Sequence, residues 1–380
     1  RQGGSGMSFY YALLMITVIT ASAVSFYVLS GRNKNKSKTA SGRLGIMTNA
    51  VEYRLSFGPR IVTIGGGTGL STLLSGLKGF TRNITAVVAV TDEGGSSGRL
   101  RQEWGMLPPG DIRNCIVALA ENDSSLNRLL NFRFDRGELK GHNLGNLILL
   151  ATTEMMGDFQ RAVEELNKLL AIRGQVLPVT TENVTLKGET KDGRIVKGEL
   201  EVSDNGSKLA KLWIEPCNAP TLEGVKKALN SADLIVLGPG SLFTSVLPNL
   251  LLKEVADILK ESPVPIVYVA NLVTQPKETE GMNILAHVDW VTGVLGTVPD
   301  YLLANQAPIP EEFLNRYSKI GAEPLYLSTE EEKYLESLGT TVIYGDFITI
   351  KNGAYLRHNA QSLSEAIVRL ARENREAKEF

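Results

Sequence analysis

The sequence predicts an α/β protein with a mostly parallel sheet covered by helices on both faces, and three features carry that prediction. Short β-branched runs alternate with amphipathic stretches, glycine-rich turns sit where each run ends, and the composition is that of an ordinary globular chain, 43% hydrophobic and 21% charged over 380 residues. The first run, Ile61–Ile64, passes through five glycine-rich positions into a helix over 70–78. A second strand spans Ile84–Val90, followed by helices over 111–121, 143–155 and 159–172. Between about 175 and 215 the alternation stops. Asp192-Gly193 and Asn205-Gly206 are turn signals between alternating segments such as Asn183–Gly188 and Ile195–Val202, so a β-rich antiparallel insertion is expected there. A helix over 221–231, a strand at Asp233–Leu237, a helix over 246–261 and a strand at Pro265–Ala270 resume the pattern. After Asn271 a helix near 310–319, strands near 323–327 and 341–350, and a closing helix from about 362 to 376 complete a Rossmann-like domain over 59–380.

Ahead of that domain lies a different kind of segment. From Phe9 to Leu29 no residue is charged, and a helix of that length spans roughly 31 Å, about one hydrocarbon thickness. Arg32, Lys34, Lys36 and Lys38 follow the run and nothing basic lies between Met7 and it, the reverse of a secretory signal. The positive-inside rule then predicts an N-out transmembrane helix at 9–29, after an extension at 1–8. A Lys-, Asn-, Ser- and Gly-rich tether at 30–58 would hold the domain on the cytoplasmic side of a bacterial inner membrane.

Several functions are excluded early. With 40 Lys and Arg against 41 Asp and Glu, bulk positive charge cannot drive nucleic-acid binding. Cys115 and Cys217 have no zinc or redox spacing, His142, His287 and His358 form no metal motif, and neither a G-x-S-x-G elbow nor H-E-x-x-H occurs.

What remains is a set of loops suited to phosphate and hydroxyl groups. Gly65, Gly66, Gly67, Thr68 and Gly69 join a strand to a helix N-terminus, whose N–H groups favour an anion. Leu70 breaks the dinucleotide frame and no Lys-Ser/Thr follows, so the loop is either a phosphate site outside both stock templates or a tight turn without ligand. The second strand leads to Asp92, Glu93, Gly94, Gly95, Ser96, Ser97 and Arg99. Asp92 can accept from a sugar hydroxyl or help hold a divalent cation. Asp111 is placed as the N-cap of its helix, with Arg113 and Asn114 in the first turn, and His142 and Asn143 precede another helix. Gly238, Pro239, Gly240, Ser241 and Thr244 repeat the strand–glycine–helix design, and Asn271 and Thr274 follow the next strand. Four sheet edges ending in such residues describe a nucleotide or nucleotide-sugar cleft.

The motifs IGGGTGLSTLLSGLK, TDEGGSSGRLR, PPGDIRNC, GHNLGN, GPGSLFTSVLPNLL and NLVTQPKETEG, in that order, resemble those of the YvcK-type gluconeogenesis factors. These are the bacterial branch of a family that also contains the 2-phospho-L-lactate transferase CofD. The resemblance runs over about 60–375 and implies a Rossmann-like domain that binds a UDP-sugar such as UDP-N-acetylglucosamine. It further implies a regulator of cell shape, cell-wall supply and growth on gluconeogenic carbon, working through regulatory proteins of those processes. On that basis the nucleotide falls on Gly65–Gly69, the acidic loop on Asp92–Arg99, and further contacts on Asp111, Asn114, Gly238–Ser241, Thr244 and Asn271. Two more segments resembling the family contain Tyr317, whose ring can stack on uracil, and Arg357, which can pair with the diphosphate. Glu93 departs from the family, which commonly has a second aspartate there, and its longer side chain argues against tight metal geometry. The alternative function is a phospholactate-type transferase using Asp92 and Mg2+. No general base can be picked from the sequence. A homo-oligomer is compatible with this class of protein, although no residue argues for one.

Overall fold

A run as apolar as Ile61-Val62-Thr63-Ile64 requires cover on both faces, and in the computed structural model it forms β1 (Ile61–Gly65), buried throughout, inside a seven-stranded parallel sheet. The structure describes residues 51–121, 125–351, 353 and 355–379. Of the unit Arg1–Ser56 only residues 51–56 are described, so the expected extension, the transmembrane helix at 9–29 and most of the tether lie outside the described residues. Among the described residues no helix is long and apolar enough to cross a membrane.

The sheet order places β2 (Ile84–Val88) and β3 (Gln175–Pro178) on one side of β1. On the other side stand β7 (Leu234–Leu237), β8 (Ile266–Val269), β9 (Tyr301–Asn305) and β10 (Thr341–Gly345). The chain therefore leaves β1 in one direction and returns at β7 to run in the other, which makes β1/β7 the topological switch point. Right-handed crossovers then put the helices after β1 and those after β7 on opposite faces. One layer contains α1 (Gly67–Leu77), α3 (Gly110–Leu119), α5 (Leu144–Met156), α6 (Phe159–Leu169) and the closing α14 (Ala360–Glu379). The other contains α8 (Glu223–Ser231), α10 (Lys253–Glu261) and α11 (Ile284–Leu295).

Several expectations are corrected. β3 pairs in parallel with β2, so it belongs to the main sheet and the antiparallel lobe starts later, as β4 (Thr185–Thr190), β5 (Ile195–Lys197) and β6 (Leu209–Glu215). Ile195–Val202 is not one strand: Gly198 takes φ 88° and turns the chain into α7 (Glu199–Asn205), whose first-turn Glu199 and Glu201 suit a helix N-terminus. Asp192-Gly193 does make the β4–β5 turn, with Gly193 at φ 84°, whereas Asn205-Gly206 ends α7 in a 3-10 turn. The loop after Asp92 becomes α2 (Gly95–Trp104), a helix that a glycine- and serine-rich start concealed. The helix expected over 246–261 is broken into an irregular turn at 242–246, α9 (Leu247–Leu250) and α10.

Residues 323–327 contribute only an isolated bridge between Val273 and Pro324. The sequence reading also left out α4 (Ser125–Asn131), α11, β9 and α13 (Thr329–Ser337), while the helix near 310–319 is α12 (Glu311–Ser318). The single strand expected over 341–350 divides into β10 and β11 (Ile348–Lys351), which pairs with β12 (Tyr355–His358) as a separate hairpin.

Candidate functional site

The glycines of the first loop serve close approach. A Cβ on Gly66 would stand 2.5 Å from Asp111 Oδ2, and one on Gly69 would overlap the Pro239 carbonyl, so the β1–α1 loop lies directly against Asp111 and the β7 loop. Gly67 takes φ 63°, in the left-handed region. Asn249 Nδ2 donates to the Gly65 carbonyl at 3.2 Å and the Ser245 carbonyl at 2.8 Å, tying the two loops together from below. No side chain caps α1, and one of its N–H groups, that of Gly67, donates to the Asp111 carboxylate.

Asp111 is thus not the N-cap of α3. Pro109 holds that position, and Asp111, in the first turn, reaches across to the glycine loop. Burial, then the facing Asp92, push its carboxyl up to about 6, against the pull of the Gly67 N–H and Arg113. Asp92 Oδ1 accepts from the Gly94 N–H at 2.8 Å.

A third carboxyl arrives from the lobe. Glu199 Oε2 accepts the Glu93 N–H and Glu93 Oε2 accepts the Glu199 N–H, each at 3.0 Å. Burial, and then the neighbouring Asp92 and Asp111 charges, push Glu199 up to about 7 against the pull of the Glu93 N–H. A fourth, Glu278, is buried and accepts from the Ser241 hydroxyl and, at 3.0 Å, from the Phe243 N–H. Burial pushes its carboxyl upward.

These groups surround a cleft of about 500 Å³ at the switch point. The structure brings to its wall Gly66, Gly67, Thr68, Gly69, Asp92, Asp111, Pro239, Gly240, Ser241, Thr244, Asn271 and Arg357. Gly65 and Gly238 sit at the strand ends behind these loops, off the wall.

Other expected residues have structural work instead. Gly94 is the N-cap of α2 and Gly95 its first residue. Ser96 and Ser97 are buried in its first turn, where Ser96 Oγ meets His142 Nδ1 at 3.2 Å and accepts the Asn143 N–H at 3.3 Å. Burial, and then the charge of Arg99, lower the His142 imidazole below its ordinary value, and Arg99 donates to the Lys140 carbonyl at 2.9 Å. Asn143 is the N-cap of α5, accepting from the Asn146 N–H. Thr274 Oγ1 accepts the Glu323 N–H at 2.8 Å and Tyr317 accepts the Leu356 N–H at 3.3 Å, so neither lines the cleft. Asn114 faces a second, adjoining cavity.

Sequence reasoning missed Glu199, Glu278, Gln275 and His358, all on the cleft wall. The ETE run after Gln275 was a signal for Glu278, whereas Glu199 sits in a lobe whose placement no local pattern gives.

Oxygen donors of this kind suit a hard cation such as Mg2+. Among the described residues, however, no group of three or more His, Cys, Asp or Glu side chains is arranged to hold one. Mg2+ is usually held by one or two carboxylates together with ligand phosphates and water, so any such site here would rest on the ligand as much as on Asp92.

A doubly wound parallel sheet with glycine loops and an acidic cleft at its switch point defines the class: an α/β protein of the switch-point-cleft type. The profile of the family described as 2-phospho-L-lactate transferase CofD matches residues 61–348. The chain belongs to this CofD/YvcK family. Among its relatives, the gluconeogenesis factor of Halalkalibacterium halodurans is 43% identical over 310 residues, covering 81% of this chain and 95% of the relative. That of Bacillus subtilis is 41% identical over 317 residues, covering 83% and 99%. A crystal structure of a Bacillus halodurans protein superposes with a TM-score of 0.77 at 42% identity, covering 82% of this chain and 99% of that one.

Proposed function

We propose that the chain is a gluconeogenesis factor that binds a UDP-sugar, UDP-N-acetylglucosamine foremost, in the switch-point cleft. In this role it regulates cell shape and cell-wall supply during growth on gluconeogenic carbon. The observation that carries this reading is the meeting of two glycine loops, Gly66–Gly69 and Pro239–Ser241, across β1 and β7, with Arg357 and Asn271 on the same wall. Backbone N–H groups and a guanidinium serve a diphosphate, while carboxylates accept from sugar and ribose hydroxyls. Mg2+ on Asp92 would offset the repulsion between those carboxylates and the phosphates. The segment 9–29 anchors the protein, so removing residues 1–58 should release it from the membrane fraction.

A specific observation favours a second reading, a Mg2+-dependent transferase: Asp111 and Glu199, at about 6 and about 7, have the proton affinity of a general base working near neutrality. Titration calorimetry of the purified chain with UDP-N-acetylglucosamine, UDP-glucose and GDP, with and without Mg2+, separates the two when the nucleotide is recovered and chromatographed. Saturable UDP-sugar binding with intact ligand supports the regulator. Preference for GDP, or a cleaved nucleotide, supports the transferase, and no binding of either sinks both.

A further inference from the structure

Beside the cleft, sharing Thr68, Thr72, Arg357 and His358 with it, lies a larger cavity of about 1100 Å³. Its electrostatic character is opposite. The cleft wall carries four carboxyl groups and one arginine, whereas the cavity wall carries Lys78, Arg128, Lys351 and Arg357 and, among the described residues, no carboxylate.

These cations come from elements far apart in sequence: α1, α4 and the β11–β12 hairpin, with Asn114 of α3 adding an amide. Among the described residues, Arg128, Lys351 and Arg357 enter no ion pair. Arg128 donates to Ser125 Oγ, and Arg357 donates to the Leu356 carbonyl with its guanidinium 5.4 Å from the Tyr355 ring centre. Lys78 donates to the Ala120 carbonyl at 2.6 Å, whereas Arg128, Lys351 and Arg357, on a wall with no carboxylate among the described residues, repel one another and focus a positive potential. Surface cations that serve only solubility are normally interspersed with acids, as in the Lys253–Asp257 pair of α10.

We infer that this cavity is a binding site for a multiply charged phosphate compound, separate from the ligand of the switch-point cleft and held at the same time. Hydroxyls from Ser71, Ser75 and Thr349 supply neutral donors around the cations. Arg357 lies in the wall between the two sites, so an anion on one side and a ligand on the other share one guanidinium, and occupancy of one alters affinity for the other by the same factor in both directions.

The test uses the full chain and inorganic tripolyphosphate as probe, titrated by calorimetry alone and in saturating UDP-N-acetylglucosamine. One-to-one binding that weakens with added salt, persists beside the nucleotide sugar, and falls at least tenfold in the Arg128→Gln/Lys351→Gln double variant is the expected result. Both side chains are exposed, and an unchanged thermal melt confirms that the variant folds. Absence of saturable binding, equal affinity in the variant, or full displacement by the nucleotide sugar overturns the inference. Failure of UDP-N-acetylglucosamine to bind counts only against the function proposed for the cleft, because the tripolyphosphate titrations of wild type and variant decide the cavity without it.

Discussion

Asp111→Asn should make the protein more stable while impairing its cleft. The carboxyl has an ordinary value of 3.8 and is raised to about 6 in the fold, so its ionised form is disfavoured there by about 2 pH units, or about 3 kcal/mol at most. Below pH 4 both folded and unfolded chains hold the proton, and the variant, an isostere of the neutral acid, should match wild type. Between pH 4 and 6 the unfolded chain loses the proton and the folded chain keeps it, so wild-type stability falls as pH rises. Above 6 the full penalty is present. The asparagine has no such slope and still offers an oxygen to the Gly67 N–H. The stability gap should therefore open from near zero at pH 4 to about 3 kcal/mol at pH 7 to 8. Urea unfolding of both proteins across that range measures it. Removing the Asp111 charge also relieves Glu199, whose rise is partly due to Asp111, so Glu199 adds a smaller contribution of the same sign to the gap. A gap that does not grow with pH, or a variant less stable at pH 7, would refute the account of a buried, repelled carboxylate. Ligand binding should weaken in the same variant, as expected where a costly charge is kept for function.

Gly69→Ala places a methyl against the Pro239 carbonyl and should cost roughly 1–3 kcal/mol by overpacking, read by urea unfolding. Arg101→Met should cost roughly 3 kcal/mol and raise amide exchange across β4–β6, because the buried guanidinium donates to the Thr91 carbonyl, Asn183 Oδ1 and the Val184 carbonyl. Glu93→Asp should open the contact between Glu93 and Glu199, increasing exchange at the N-terminus of α7 while leaving the central strands protected.

The central fold was legible because its signals are local. β1, β2, β7 and β8 are continuous apolar runs closed by glycine or polar turns, and burial on both faces is the only way to satisfy them. The acidic and glycine loops were legible for the same reason, and twelve of the expected residues do meet on one wall. What local pattern cannot supply is the partner of a side chain. Ser96, His142 and Asn143 are as polar as a binding loop needs, yet they are consumed by one another where α2 meets α5. Tyr317 is likewise taken up by Leu356 and the small cluster with Ile309 and Phe313. α2 was hidden because Gly, Ser and charge at its start outweigh one buried Leu100 in any propensity reading, while tertiary contact decides its conformation.

Glu93 shows how the missing information bears on the site. From the sequence, its extra methylene is a defect in a metal loop. In the fold the carboxylate turns away from that task and receives the N–H of Glu199, 106 residues on, while Glu199 returns the contact to the Glu93 N–H. An aspartate would fall short by about one C–C bond, about 1.5 Å, so the longer side chain is what lets the acidic loop grip the lobe. That grip delivers Glu199 to Asp92 and Asp111, where burial first, and then the charges of Asp92 and Asp111, raise it to about 7, beside an Asp111 raised by burial and Asp92 to about 6. The lobe is therefore more than an insertion beside the sheet: it completes the acidic wall of the cleft. A cation or hydroxyl donor that relieved the repulsion among these carboxyls would therefore also favour the Glu93–Glu199 contact that holds the lobe to the acidic loop.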